Sequence, residues 1–96
     1  MISGITEKEE KIIKEILSNY PYEFYYYGSR VKGDFTKGSD LDVLIKNQNE
    51  IEQNILDEIS LKFNESLIPY RVNCSDYKKM SEDFYNLIKN DLVKVL

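Results

Sequence analysis

Two short runs decide the reading of this chain: Tyr27-Gly28-Ser29 and, with ten residues between, Asp40-Leu41-Asp42-Val43. Glu23 to Tyr27 (Glu-Phe-Tyr-Tyr-Tyr) is aromatic-rich and predicts a strand that runs directly into Gly28-Ser29. A glycine at the end of a strand lets an anion approach the backbone. The N–H groups of the following turn, with the Ser29 hydroxyl, can then donate to phosphate oxygens. Asp40 and Asp42 lie two apart at the start of an apolar run (Leu41, Val43, Leu44, Ile45) that predicts a buried, central strand. Residues i and i+2 of a strand share a face about 6.5–7 Å apart, so the two carboxylates project together while Leu41 and Val43 point into the core. Hard oxygen ligands beside a phosphate cradle suit Mg²⁺, with Mn²⁺ as the alternative ion.

Outward from these runs the chain alternates helix and strand. Thr6 and Glu9 form a capping box ahead of Ile12, Ile13, Ile16, Leu17 and Tyr20 at helical spacing, and Pro21 ends that helix. Residues 30–39 are polar with two glycines and predict a short helical turn and a loop. After the strand over 40–46, Asn49 with Glu52 is expected to cap a helix whose inner face is Ile51, Ile55, Leu56, Ile59 and Phe63. Pro69 to Cys74 predicts a third strand. Ser81 is expected to cap a last helix with an inner stripe of Phe84, Leu87, Ile88, Leu92 and Val95. The fold class is α/β (α+β): helices packed on a small mixed sheet of about three strands, with residues 1–96 as one domain.

Composition narrows the chemistry. The chain has 96 residues, 42% hydrophobic and 31% charged, as an ordinary globular protein does. It has no His, which excludes Ser-His-Asp and Cys-His nucleophile systems and His-ligated zinc within the chain. Cys74 is alone and reads as a small buried hydrophobe. The net charge of −4 argues against direct nucleic-acid binding. No apolar stretch approaches the roughly 20 residues of a membrane span, and Met1 to Lys8 holds no signal-peptide core, so the expectation is a cytoplasmic protein without a membrane partner. The eight tyrosines read as core and edge residues, an aromatic body with a wet tip.

Tyr-Gly-Ser-x10-Asp-Leu-Asp-Val resembles the Gly-Ser-x10-Asp-x-Asp signature of the DNA polymerase β-like nucleotidyltransferase superfamily. The runs Gly28-Ser29-Arg30-Val31-Lys32-Gly33 and Gly38-Ser39-Asp40-Leu41-Asp42-Val43 look like its minimal nucleotidyltransferase branch, and the resemblance extends through Ile68 to Val72 and Ser81 to Phe84. It implies that Gly28 and Ser29 hold the triphosphate of ATP or another nucleoside triphosphate. It further implies that Asp40 and Asp42 ligate Mg²⁺, and that Arg30 and Lys32 neutralise phosphate charge. Members of this size often act as antitoxins beside a helical HEPN-type toxin, some by transferring AMP from ATP to a toxin tyrosine.

The chain departs from the family at one position. The family places a third carboxylate on the third strand, and the matching run here, Val72-Asn73-Cys74-Ser75-Asp76, has Asn73 there. An amide can offer a carbonyl oxygen to a metal but cannot take the acceptor's proton. Losing general-base help typically costs about 10²–10⁴ in rate. Asp76 lies three residues along, on the opposite face of a regular strand. Three readings follow: an AMP-transferring antitoxin of a HEPN toxin, a degenerate binding module that masks the same partner, or one subunit of a two-chain enzyme that modifies small molecules such as aminoglycosides. Any transfer reaction needs a partner or a second copy of the chain to supply the acceptor.

Overall fold

The structure is a computed structural model and describes residues 2–96. Helix α1 spans Glu7–Leu17, and its capping box is made in full. Thr6 Oγ1 accepts from the Glu9 N–H at 3.1 Å, and Glu9 Oε1 accepts from the Thr6 N–H at 3.0 Å. Strand β1 (Glu23–Tyr27) leads into the one-turn helix α2 (Ser29–Lys32), and β2 covers Leu41–Lys46. Helix α3 (Gln53–Asn64) crosses over to β3 (Val72–Asp76). A 3-10 turn at Tyr77–Lys79 precedes α4 (Glu82–Ile88), and a second at Lys89–Asp91 precedes β4 (Val93–Lys94).

The sheet has the order β3-β2-β1-β4, with β1 antiparallel to both neighbours and β2 parallel to β3. Its core face comes from alternate residues Phe24, Tyr26, Leu41, Val43 and Ile45, packed with Ile13 and Leu17 of α1 and Ile59 and Phe63 of α3. Burial of this apolar surface, at about 25 cal/mol per Å², is the main force joining helices to sheet. The opposite face carries Tyr25 and Tyr27, Asp42 and Leu44, Asn73 and Ser75. The Phe84 ring meets Tyr27 edge-on at 6.1 Å, and Tyr85 meets Tyr77 at 4.8 Å, so α4 and the turn before it lie over this second face. The core of the fold therefore sits on one side of the sheet and the candidate site on the other.

Three expectations need correction. The sheet has four strands because the chain after Asp91 is extended rather than helical. Val93 and Lys94 pair with Tyr26 and Tyr25, and the Val95 N–H donates to the Phe24 carbonyl at 2.9 Å. Val95 is thereby buried, while Phe84 and Leu87 of the supposed inner stripe are 42% and 74% exposed. The β-branched pair Val93 and Val95 has the period of a strand, and the open edge of β1 offers it unpaired backbone groups. The third strand runs from Val72 to Asp76, later than Pro69 to Cys74. Pro69 has no N–H to give a ladder, and pairing to β2 starts where Arg71 O accepts from the Leu41 N–H at 2.9 Å. Helix α3 starts at Gln53, with Glu52 at its cap and no side-chain cap bond from Asn49. Just ahead of it, the Ile51 N–H donates to Asp76 Oδ2 at 2.7 Å. Among the described residues no helix is long and apolar enough to cross a membrane.

Candidate active site

The end of β1 is shaped by Gly28, whose φ of +85° lies in the left-handed region that side chains avoid. A Cβ there would collide with Asp42 Oδ2, so the glycine is required twice: by its backbone angle and by the carboxylate packed against it. The chain then makes one tight turn. The Val31 and Lys32 N–H groups donate back to Gly28 O at 3.0 and 3.1 Å, and Gly33 at φ +93° closes the turn. The Ser29 and Arg30 N–H groups open α2 and are free of its internal ladder, as at any helix start.

Asp42 is the second residue of β2, set in register between Tyr27 on β1 and Asn73 on β3. It is half-buried. Burial pushes its carboxyl above the ordinary value, and the negative charge of Asp40 pushes it the same way, while a hydrogen bond from Asn73 acts against both. That bond is long, with Asn73 Nδ2 at 3.5 Å from Asp42 Oδ1. Asp40 is exposed at the mouth of the strand. None of the ion pairs among the described residues includes Asp40 or Asp42. The carboxylates thus form an acidic pair outside every ion pair among the described residues, and both are hard oxygen donors of the kind a divalent cation takes. Among the described residues no group of three or more His, Cys, Asp or Glu side chains converges to hold a metal. The third neighbour of Asp42 is an amide.

Residues 9–95 match the profile of the family described as Nucleotidyltransferase domain. The chain belongs to that family. It is also 36% identical over 93 residues to a protein of Haemophilus influenzae named "Probable protein adenylyltransferase MntA", covering 95% of this chain and 82% of the relative. The fold class expected from the sequence and the minimal nucleotidyltransferase resemblance both hold. The nucleotidyltransferase family works on nucleoside triphosphates and generally with divalent metals, and the donor set of Asp40 and Asp42 fits such an ion.

Within this nucleotidyltransferase domain Gly28, Asp42 and Asn73 come together, with Ser29 opening the turn beside Gly28, while Asp40, expected inside the strand, lies one residue ahead of β2. Arg30, expected to neutralise phosphate, is placed elsewhere. It is 4% exposed, with its guanidinium bonded to the carbonyls of Gly4, Thr36, Lys37 and Ser39 and lying 3.7 Å from the centroid of the Tyr70 ring. Its donors are committed to the protein itself. Lys32 stays at the surface, 3.8 Å from Asp91. Asp76 is buried on the opposite face from Asn73, where its carboxylate accepts from the N–H groups of Ile51 and Lys78 at 2.7 and 2.9 Å. It caps two turns and does not replace the missing acid.

The structure adds residues that spacing alone did not single out. A cleft of about 580 Å³ adjoins Asn73, lined by Tyr27, Ser75, Asp76, Lys79, Met80, Ser81 and Phe84. The Tyr27 hydroxyl lies 3.3 Å from Ser75 Oγ across the second face of the sheet. Burial raises the Tyr27 hydroxyl's pKa; Ser75 lowers it and the charge of Asp42 raises it further. Strand alternation puts Tyr27 on one face with Tyr25, and the pairing of β1 with β2 sets it beside Asp42. Nothing local marks Phe84 or Lys79, which reach the cleft through α4 and the turn before it. Cys74, expected to be buried, is partly buried against the core, and burial pushes its thiol up to about 12.

Proposed function

We propose that this nucleotidyltransferase domain transfers AMP from ATP, with Mg²⁺ or Mn²⁺, to a hydroxyl of a protein partner, and that the partner is a helical HEPN-type toxin modified on tyrosine. The observation that carries the reading is the acidic pair at the start of β2, with Asp42 packed against the Cβ-less Gly28. The relative named a protein adenylyltransferase supports a protein acceptor. So do Phe84 and Leu87, apolar and exposed on α4, with Phe84 lining the cleft beside Asn73.

In the proposed reaction the acceptor oxygen attacks the α-phosphorus of ATP. The bond from that phosphorus to the oxygen bridging to the β-phosphate breaks, and pyrophosphate leaves with the bonding electrons. A divalent ion on Asp40 and Asp42 would supply charge neutralisation at the phosphates. The backbone N–H groups and hydroxyl at Ser29 would orient the triphosphate. The acceptor's proton has no carboxylate at position 73 to receive it, since Asn73 is an amide and the Asp76 carboxylate is engaged by the Ile51 and Lys78 N–H groups, and leaves to water or to a group of the partner. Transfer is accordingly slow.

A second reading is favoured by Asn73 itself: the domain binds Mg-ATP and masks its partner without modifying it. Incubation with ATP labelled at the α-phosphate, Mg²⁺ and the co-expressed partner separates the two. Label on the partner, lost with Asp42→Asn, supports transfer; a stable complex without label supports masking. No complex and no label would contradict both.

A further inference from the structure

The guanidinium of Arg30 is a buried cation that takes part in none of the ion pairs among the described residues. Such a charge persists only where hydrogen bonds and polarisable groups replace its lost hydration. Here four carbonyls do so, and their distribution along the chain is uneven. One belongs to Gly4, at 2.7 Å. The other three, Thr36, Lys37 and Ser39, lie within the loop that delivers Asp40. Ser39 O accepts twice, from Nε at 3.0 Å and from a terminal nitrogen at 2.8 Å, and the next residue is Asp40. Tyr70 closes the other side of the guanidinium with its ring, and Phe35 lies 5.2 Å away.

We infer that Arg30 is a positioning residue for the metal-binding pair, acting through the Ser39 carbonyl on the backbone of Asp40. The inference rests on the nucleotidyl-transfer reading and deepens it. Asp40 is exposed, so side-chain packing does not hold it. Its backbone is pinned from two sides: by Arg30 at Ser39 O and by the Leu41 N–H on Arg71 O at 2.9 Å. The separation of the two carboxylates then depends on the fork geometry of an arginine, which a lysine lacks. Through α2, Arg30 also ties this loop to the Gly28-Ser29 turn, so phosphate cradle and acid pair move as one unit. Gly4 leaves space for this: a Cβ there would overlap the Arg30 backbone.

The test measures Mn²⁺ binding in the presence of ATP, by the enhancement of water proton relaxation that protein-bound Mn²⁺ shows over Mn-ATP alone, for wild type, Arg30→Lys, Tyr70→Leu and Tyr70→Phe. Groups that orient metal ligands from behind typically cost about 10–100-fold in metal affinity when removed. Arg30→Lys should raise the half-saturating Mn²⁺ concentration by about 10-fold or more. The Kd for ATP at saturating Mn²⁺ should stay near wild type. Tyr70→Leu removes the ring beneath the guanidinium and should shift Mn²⁺ binding the same way by a smaller factor. Tyr70→Phe keeps the ring and should shift nothing. If Arg30→Lys does not fold, the two Tyr70 variants decide the matter on the same readout. An unchanged Mn²⁺ midpoint in folded Arg30→Lys, or a raised Kd for ATP that saturating Mn²⁺ does not restore, would overturn the inference; the latter would return Arg30 to the phosphates. Wild type that binds no Mn²⁺ with ATP would instead overturn the parent reading, and this one with it.

Discussion

Asn73 Nδ2 stands 3.5 Å from Asp42 Oδ1, donating an N–H at the position where a carboxylate would repel it. Asp42 is the most constrained carboxylate of the site, with Gly28 against one side, Asp40 nearby and the protein interior beneath. The amide of Asn73 is the one neighbour that favours its charged form. The substitution therefore has two opposite effects. It eases the electrostatics of the acid pair and removes a proton acceptor from the place where an acceptor hydroxyl would need one.

The strain on Asp42 is measurable as a pH dependence. Its folded-state carboxyl titrates above the ordinary 3.8, because burial and Asp40 disfavour the charge. A carboxyl raised on folding binds its proton more tightly in the native state. Its contribution to stability is therefore present below the unfolded value and lost as pH rises through the folded one. In EDTA, Asp42→Asn should melt higher than wild type at pH 7, with the gap closing as pH falls through the raised folded value towards 3.8. The same variant should lose the Mg²⁺-dependent stabilisation by ATP, since only a ligand bound to the native state shifts the melt. A wild type more stable than Asp42→Asn at pH 7 without metal would contradict this account of the site.

Gly28 and Gly33 separate strain from site geometry. Both have positive φ, but a Cβ at Gly33 meets open space and one at Gly28 meets Asp42 Oδ2. Gly33→Ala should cost about 1–2 kcal/mol of stability and leave ATP binding intact. Gly28→Ala should cost about 1–3 kcal/mol and also abolish metal-dependent ATP binding, because Asp42 must move. Urea denaturation and the ATP-induced melting shift, read side by side, check the contrast.

Asp76 should behave as a structural carboxylate. Its two oxygens accept from the Ile51 and Lys78 N–H groups, and an amide can serve only one of them. Asp76→Asn should lower stability by about 1–3 kcal/mol while leaving the Mg²⁺ dependence of ATP binding unchanged. A loss of metal dependence in a folded Asp76→Asn protein would make Asp76 the missing third acid after all.

What could be read from the sequence was local. The Thr6 and Glu9 capping box and the strand into Gly28-Ser29 each depend on residues a few positions apart, and both appear in the structure, while β2 begins at Leu41, one residue after Asp40. Arg30 was misread because nothing near it in sequence tells a phosphate-facing cation from a buried one. Its carbonyl partners come from Gly4 and residues 36–39, and its stacking ring from Tyr70, 40 positions away. The end of the chain was misread for another reason. Leu92 and Val95 fit helical spacing as well as Val93 and Val95 fit a strand, and the free edge of β1 decides between them. Tyr27 is legible only in part: alternation puts it on one face with Tyr25, and the pairing of β1 with β2 sets it beside Asp42.

The most direct measurement is the rate at which the α-phosphate label of ATP appears on the partner, compared between wild type and Asn73→Asp with Mg²⁺ and the co-expressed partner present. The change is nearly isosteric, so a difference reports chemistry rather than packing. The account predicts slow transfer by wild type and a gain of at least about 10-fold in Asn73→Asp. No transfer by either protein, with the partner bound, would contradict the enzymatic reading and leave a nucleotidyltransferase fold that acts by binding alone.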